Sequence, residues 1–142
     1  MSEERFDKVV WTRFPKNTVK IEPLDEINQE LQNGYKIMDI VPYLTESGGA
    51  IFTTRRGLYY NNLLFHLAPT NQKTKIYSLT IKPDNSKDTV DKINAAIAEE
   101  GSKGHAFLKL IPATGIIEPQ NSNGMGRGTY AFCLFFIDEL EN

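Results

Sequence analysis

The chain has 142 residues, of which 40% are hydrophobic and 24% charged, and its net charge is −2. That is the balance of an ordinary globular domain, so a packed core is expected and disorder is not. The slight acidic excess argues against nucleic acid as the partner, because phosphate neutralisation supplies most of such affinity; a local basic patch is left open.

The first expected strand is Lys8 to Arg13, closed by the turn Pro15-Lys16-Asn17. A helix follows, with Pro23 of Glu22-Pro23 at its first position and with Leu24, Ile27 and Leu31 as one apolar stripe at i, i+3, i+7 spacing. Asn33-Gly34 ends it, since glycine supplies the left-handed conformation a helix C-terminus takes. A second strand carries Met38, Ile40 and Val41 and stops at Pro42, which cannot donate to a central ladder. Short extra strands such as Ala50 to Thr54 fit into the hairpin, beside the loop Ser47-Gly48-Gly49. Arg56-Gly57-Leu58-Tyr59 then opens the strand Tyr59 to Leu67.

The second half repeats this order. Lys75 to Ile81 is a strand closed by Pro83-Asp84-Asn85. Asp88 is read as the helix N-cap, and Val90, Ile93 and Ile97 form the stripe. The helix ends within Gly101-Ser102-Lys103-Gly104, and a strand with Leu108, Leu110 and Ile111 stops at Pro112. Arg127-Gly128-Thr129-Tyr130 opens the last strand, Tyr130 to Ile137.

The helix stripes align at an offset of 66 residues, the second strands at 70 and the Arg-Gly-x-Tyr segments at 71. Matches in the same order, with drift explained by small insertions, predict a tandem duplication of a β-α-β-β unit. The expected fold is therefore α+β: one domain over residues 1–142, with repeats at about 6–69 and 74–138, a mainly antiparallel sheet and two helices on one of its faces.

A sheet covered on one side should alternate apolar and polar residues. Leu63-Leu64-Phe65 and Phe132-Cys133-Leu134-Phe135-Phe136-Ile137 do not alternate. Something must cover the second face: most simply another copy of the chain, alternatively the long hairpin loops folded back. Asp39 and Lys109 stand at equivalent positions and either pair across a pseudo-twofold axis or reach the sheet rim separately.

Chemistry-bearing residues are sparse. A lone cysteine, Cys133, forms no intrachain disulfide or cysteine zinc site and reads as a small core residue. His66 and His105 bring no metal-ligand spacing, and Glu99, Glu100, Glu139 and Glu141 read as solvated charges. The glycine-rich stretch Asn123 to Gly128 precedes a strand, so it is neither a dinucleotide fingerprint nor a P-loop, and a flexible hairpin tip explains it. Arg55, Arg56, Tyr59, Arg127 and Tyr130 nevertheless place arginine and tyrosine at the mouth of both hairpins, a combination suited to an anionic ligand. The plainer reading has the arginines bonding loop carbonyls and the tyrosines packing at strand edges.

Asp91-Lys92-Ile93-Asn94 through Glu100-Gly101, then Gly104-His105-Ala106-Phe107-Leu108, resembles a family of small bacterial β-α-β-β domains of unknown function, as does Leu24 through Asp39 with Gly34-Tyr35-Lys36. Tyr35 and His105 stand where that family usually has tryptophan. The resemblance implies a fold and no activity.

The functional expectation is a non-enzymatic, oligomeric binding protein, without cofactor or metal, that holds a partner protein or sequesters a small nucleotide-like anion. Phage accessory proteins are often of this kind, which is an association only. One alternative is a small enzyme on a ferredoxin-like scaffold using His66 or His105 as acid and base. Another is a single-strand nucleic-acid binder with exposed aromatics as stacking platforms. The charged start Met1-Ser2-Glu3-Glu4-Arg5, and the lack of any stretch near the ~20 apolar residues a bilayer requires, lead to the expectation of a soluble cytoplasmic protein without a membrane partner.

Overall fold

The structure is a computed structural model and describes residues 4–16, 20–46, 59–117 and 126–141. The chain runs β1 (Lys8–Arg13), β2 (Glu22–Pro23), α1 (Asp25–Gln32), β3 (Tyr35–Glu46), β4 (Tyr59–Pro69), β5 (Lys73–Ile81), α2 (Ser86–Ser102), β6 (Ala106–Ile117) and β7 (Gly126–Leu140). It is a small α+β fold, but its strands form two antiparallel sheets where one was expected. The first has the order β1-β4-β3 and the second β2-β5-β7-β6. Ala50 to Thr54 lies outside the described residues.

The reason for two sheets is the apolar surface on both faces of the last strand of each half. Leu63, Phe65 and Leu67 on one face of β4 pack against Ile76, Ile111, Cys133 and Phe135 of the second sheet. Phe65 and Phe135 meet edge to face with centroids 6.0 Å apart, the arrangement the ring quadrupoles favour. Residues on the other face of β7, Leu134 and Phe136, form a second cluster with Leu79 and Ile93.

The helices consequently do not share a face. α1 sends Ile27 and Leu31 into the core between the sheets. α2 lies on the far side of the second sheet, against Leu134 and Phe136. The sheets are stacked the same way up, so the helix-bearing face of the first meets the helix-free face of the second.

Local chemistry corrects four details. Glu22 and Pro23 do not open α1; they pair as a short edge strand with Ser78 and Tyr77, a place where the missing proline N–H costs nothing. The cap of α2 is Asn85, whose side chain accepts from the Asp88 N–H (2.9 Å) and donates to the Asp88 carboxylate (2.6 Å), a reciprocal cap that satisfies an orphan donor of the first turn. Val90 is exposed, and the buried stripe of α2 is Ile93 with Ala96 and Ile97. Glu100, one turn on, is 6% exposed and so is not a solvated charge; Lys103 reaches it at 3.4 Å. Both helices close as expected on a glycine in the left-handed region, Gly34 (φ 94°) and Gly104 (φ 98°).

Two asparagines tie the halves together. The Asn28 amide in α1 donates to the Ile76 carbonyl (3.0 Å) and accepts from the Ile76 N–H (2.7 Å). With β2 and the Leu24 N–H, which also bonds Ile76, it closes the free edge of β5, a row of backbone groups that would otherwise remain unpaired. Asn61 in β4 donates to the Thr114 carbonyl (2.8 Å) and accepts from the Thr114 N–H (2.9 Å), where β6 slips register against β7 between Ala113 and Thr114.

Asn28 is 5% exposed, so truncating it strands the Ile76 N–H in a dry site, while the Ile76 carbonyl keeps the Leu24 N–H. Asn28→Ala is expected to cost about 1–3 kcal/mol. Asn94→Ala, in an exposed place on α2, should stay within about 0.5 kcal/mol of the parent. Urea unfolding midpoints check both. Burial also pushes the Cys133 thiol far above its ordinary value, leaving almost no thiolate. A thiol reagent at pH 8 should label Cys133 only when the chain is unfolded; fast labelling of the native protein contradicts its place in the core.

Candidate functional site

The expected ligand corner is only partly placed. Arg55 and Arg56 lie outside the described residues. Tyr59 and Arg127 are seen as backbone at the starts of β4 and β7, and their side chains are outside the description. Tyr130 is half exposed. Its ring lies over Gly115 of β6, where an added Cβ would come within 2.9 Å of it. A glycine in mid-strand thus makes room for this tyrosine, whose hydroxyl accepts from Asn61 Nδ2 at 3.3 Å.

The feature that stands out is the outer face of the first sheet. Along β1, Val9, Trp11 and Arg13 point to it; β4 adds Tyr60, Asn62 and Leu64, and β3 adds Val41 and Tyr43, as the register requires. Val9 is 62% exposed, Trp11 61% and Tyr43 52%. Val9, Trp11, Arg13, Tyr43, Tyr60 and Leu64 are among the residues lining a shallow, mainly apolar concavity of about 490 Å³. Arg13 extends over the Tyr60 ring, 5.9 Å from its centroid, within cation–π range. At the opposite end His66 bonds Asp7 (2.8 Å). The sequence reading missed this face. Its signal was the alternation Val9-Trp11-Arg13, which puts the only tryptophan on the same side as an arginine.

A second concavity, of about 630 Å³, opens where β1 and β5 end. Arg13, Lys16, Tyr60, Asn61, Lys82 and Tyr130 are among the residues lining it.

Asp39 and Lys109 do pair, at 2.8 Å. Each follows a bulge, at Met38 in β3 and at Leu108 in β6, which turns the strand edges toward each other. The hydrogen bond from Lys109, helped by the Ile40 N–H, holds the Asp39 carboxyl below its ordinary range. Its contribution to stability is therefore present above the unfolded value and is lost as pH falls through the folded one.

The histidines are engaged elsewhere. His105 Nδ1 bonds Asp138 (2.8 Å) and its ring sits 4.9 Å from that of Tyr77. Neither histidine lines the two concavities. Among the described residues no group of three or more His, Cys, Asp or Glu side chains could hold a metal ion, and no helix is long and apolar enough to cross a membrane. Compared with known proteins, the chain matches no family model, no curated protein and no solved structure.

Proposed function

We propose that this chain is a non-enzymatic binding protein that pairs with a second copy of itself through the outer face of its first sheet. One observation carries the reading. Phe135 and Cys133, on the helix-free face of the second sheet, are fully buried under the first sheet. The matching helix-free face of the first sheet, with Val9, Trp11 and Tyr43, is covered by none of the described residues. Exposed apolar surface of this kind marks interfaces.

The partner is argued from the stacking itself. The helix-bearing face of the first sheet is occupied within the chain, and that of the second lies under α2. A second copy therefore has only its own bare face to offer, which makes an isologous, twofold contact. β1 has 6 residues, β3 12 and β4 11, and at about 3.3 Å along and about 4.8 Å between strands the face measures about 460 Å². Two such faces bury on the order of 1,000 Å², near the lower limit for a specific interface.

The tandem duplication belongs to the same proposal. Each half runs strand, helix, hairpin, with its first strand paired to its last: β1-β4-β3 and β5-β7-β6. Each hairpin carries its bulge at corresponding residues, Met38 and Leu108. Repeats of about 6–69 and 74–138 stacked head to tail account for the one bare face. The enzyme reading loses ground because neither histidine lines either concavity, and the net charge of −2 disfavours nucleic acid on the aromatic face.

Trp11 is the single tryptophan and reports on the contact directly. Sedimentation equilibrium at about 50 µM should give twice the chain mass, with micromolar dissociation, and indole emission should shift to longer wavelength on dilution. Trp11→Lys should give a monomer whose thermal midpoint matches that of the parent diluted below its dissociation constant. A parent chain that stays monomeric at about 100 µM contradicts the proposal.

A further inference from the structure

The concavity between the ends of β1 and β5 carries more charge of one sign than this chain's composition suggests. Arg13 and Lys16 come from the end of β1 and the residues just after it, and Lys82 from just after β5. Among the described residues none of the three forms a salt bridge, and no carboxylate lines the cleft. Three cations facing one hollow repel each other, and a bound anion relieves that repulsion.

The cleft also offers ring surface and hydrogen bonds. Tyr60 and Tyr130 line it from β4 and β7. Tyr130 is steadied by its seat on Gly115 and by Asn61. Asn61 is itself fixed by the N–H and C=O of Thr114, so one wall is organised before any ligand arrives. A volume of about 630 Å³ suits one small molecule.

We infer that this cleft binds a small phosphorylated ligand with an aromatic ring, of the nucleoside diphosphate type. Lys16 and Lys82 meet the phosphates as point charges and Arg13 meets them with its planar fork, while Tyr60 and Tyr130 flank the ring. The inference rests on the chain being a binding protein; Arg13 and Tyr60 also line the outer sheet face, whereas Lys16 and Lys82, on which its test turns, do not. It shares Tyr130 with the arginine–tyrosine corner expected from sequence and replaces the arginines with cations from the ends of β1 and β5.

Isothermal titration of the full chain with adenosine diphosphate, pyrophosphate and adenosine tests it. The diphosphate should bind at micromolar concentration, pyrophosphate about tenfold more weakly, and adenosine not measurably. Affinity should fall as salt is raised. Lys82→Glu and Lys16→Glu should each weaken binding by about tenfold or more, with circular dichroism and oligomeric state unchanged. The inference is overturned if the diphosphate does not bind at about 1 mM, if Lys82→Glu binds it as the parent does, or if only a single-stranded oligonucleotide binds. None of these results bears on the dimer, which sedimentation reads separately.

Discussion

Two asparagine side chains hold the geometry on which everything else depends. Asn28 and Asn61 each make a donor–acceptor pair with the N–H and C=O of a single residue of the other half, Ile76 and Thr114. An amide imitates a strand neighbour: it supplies one N–H and one carbonyl at peptide spacing. Asn28 does so at an edge of β5 and Asn61 at a register slip in β6, places where backbone groups would otherwise go unpaired. Together with Phe65 against Phe135, these contacts set the height and the register at which one sheet lies on the other. Hydrophobic burial alone is non-directional; the amides give it a direction.

That direction has a consequence at the surface. Stacking the two sheets with α1 between them and α2 outside buries one helix-free face and leaves the other open. The buried one carries Cys133 and Phe135, the open one Trp11, Tyr43 and Leu64. It also shifts α1 from a cover into a wedge, reaching the core of its own sheet and the edge of β5 at once, while α2 remains a cover over Leu134 and Phe136. The proposed self-pairing and the proposed ligand cleft both follow from this asymmetry. One uses the face that was left open, the other the gap where β1 and β5 diverge.

Much of the local structure was readable in the residues. The stripe Ile27–Leu31, the closing glycines Gly34 and Gly104 and the strand Lys8–Arg13 all emerge where periodicity and glycine chemistry place them. Long-range pairing was not. The unbroken apolar run Phe132 to Ile137 shows that both faces are covered, but its letters cannot say by what, so one sheet was expected where two stack. Asn28 and Asn94 look alike in sequence, yet one is buried against a strand edge and the other exposed on α2. Pro23 suits a helix start as well as an edge strand, and only the position of β5 decides between them. The anionic corner drew attention to Tyr130, while Arg13, Lys16 and Lys82 meet it from segments too far apart in the chain for spacing to connect them.

The most direct test of the central claim is native-state amide hydrogen exchange at Ile76 and Thr114. Because asparagine oxygens accept both N–H groups, the account predicts exchange as slow as at Phe65 and Phe135 in the shared core, released at Ile76 by Asn28→Ala and at Thr114 by Asn61→Ala. Exchange of these two amides at the rate of open strand edges in the parent protein would contradict it, and with it the stacking from which the bare face and the cleft are derived.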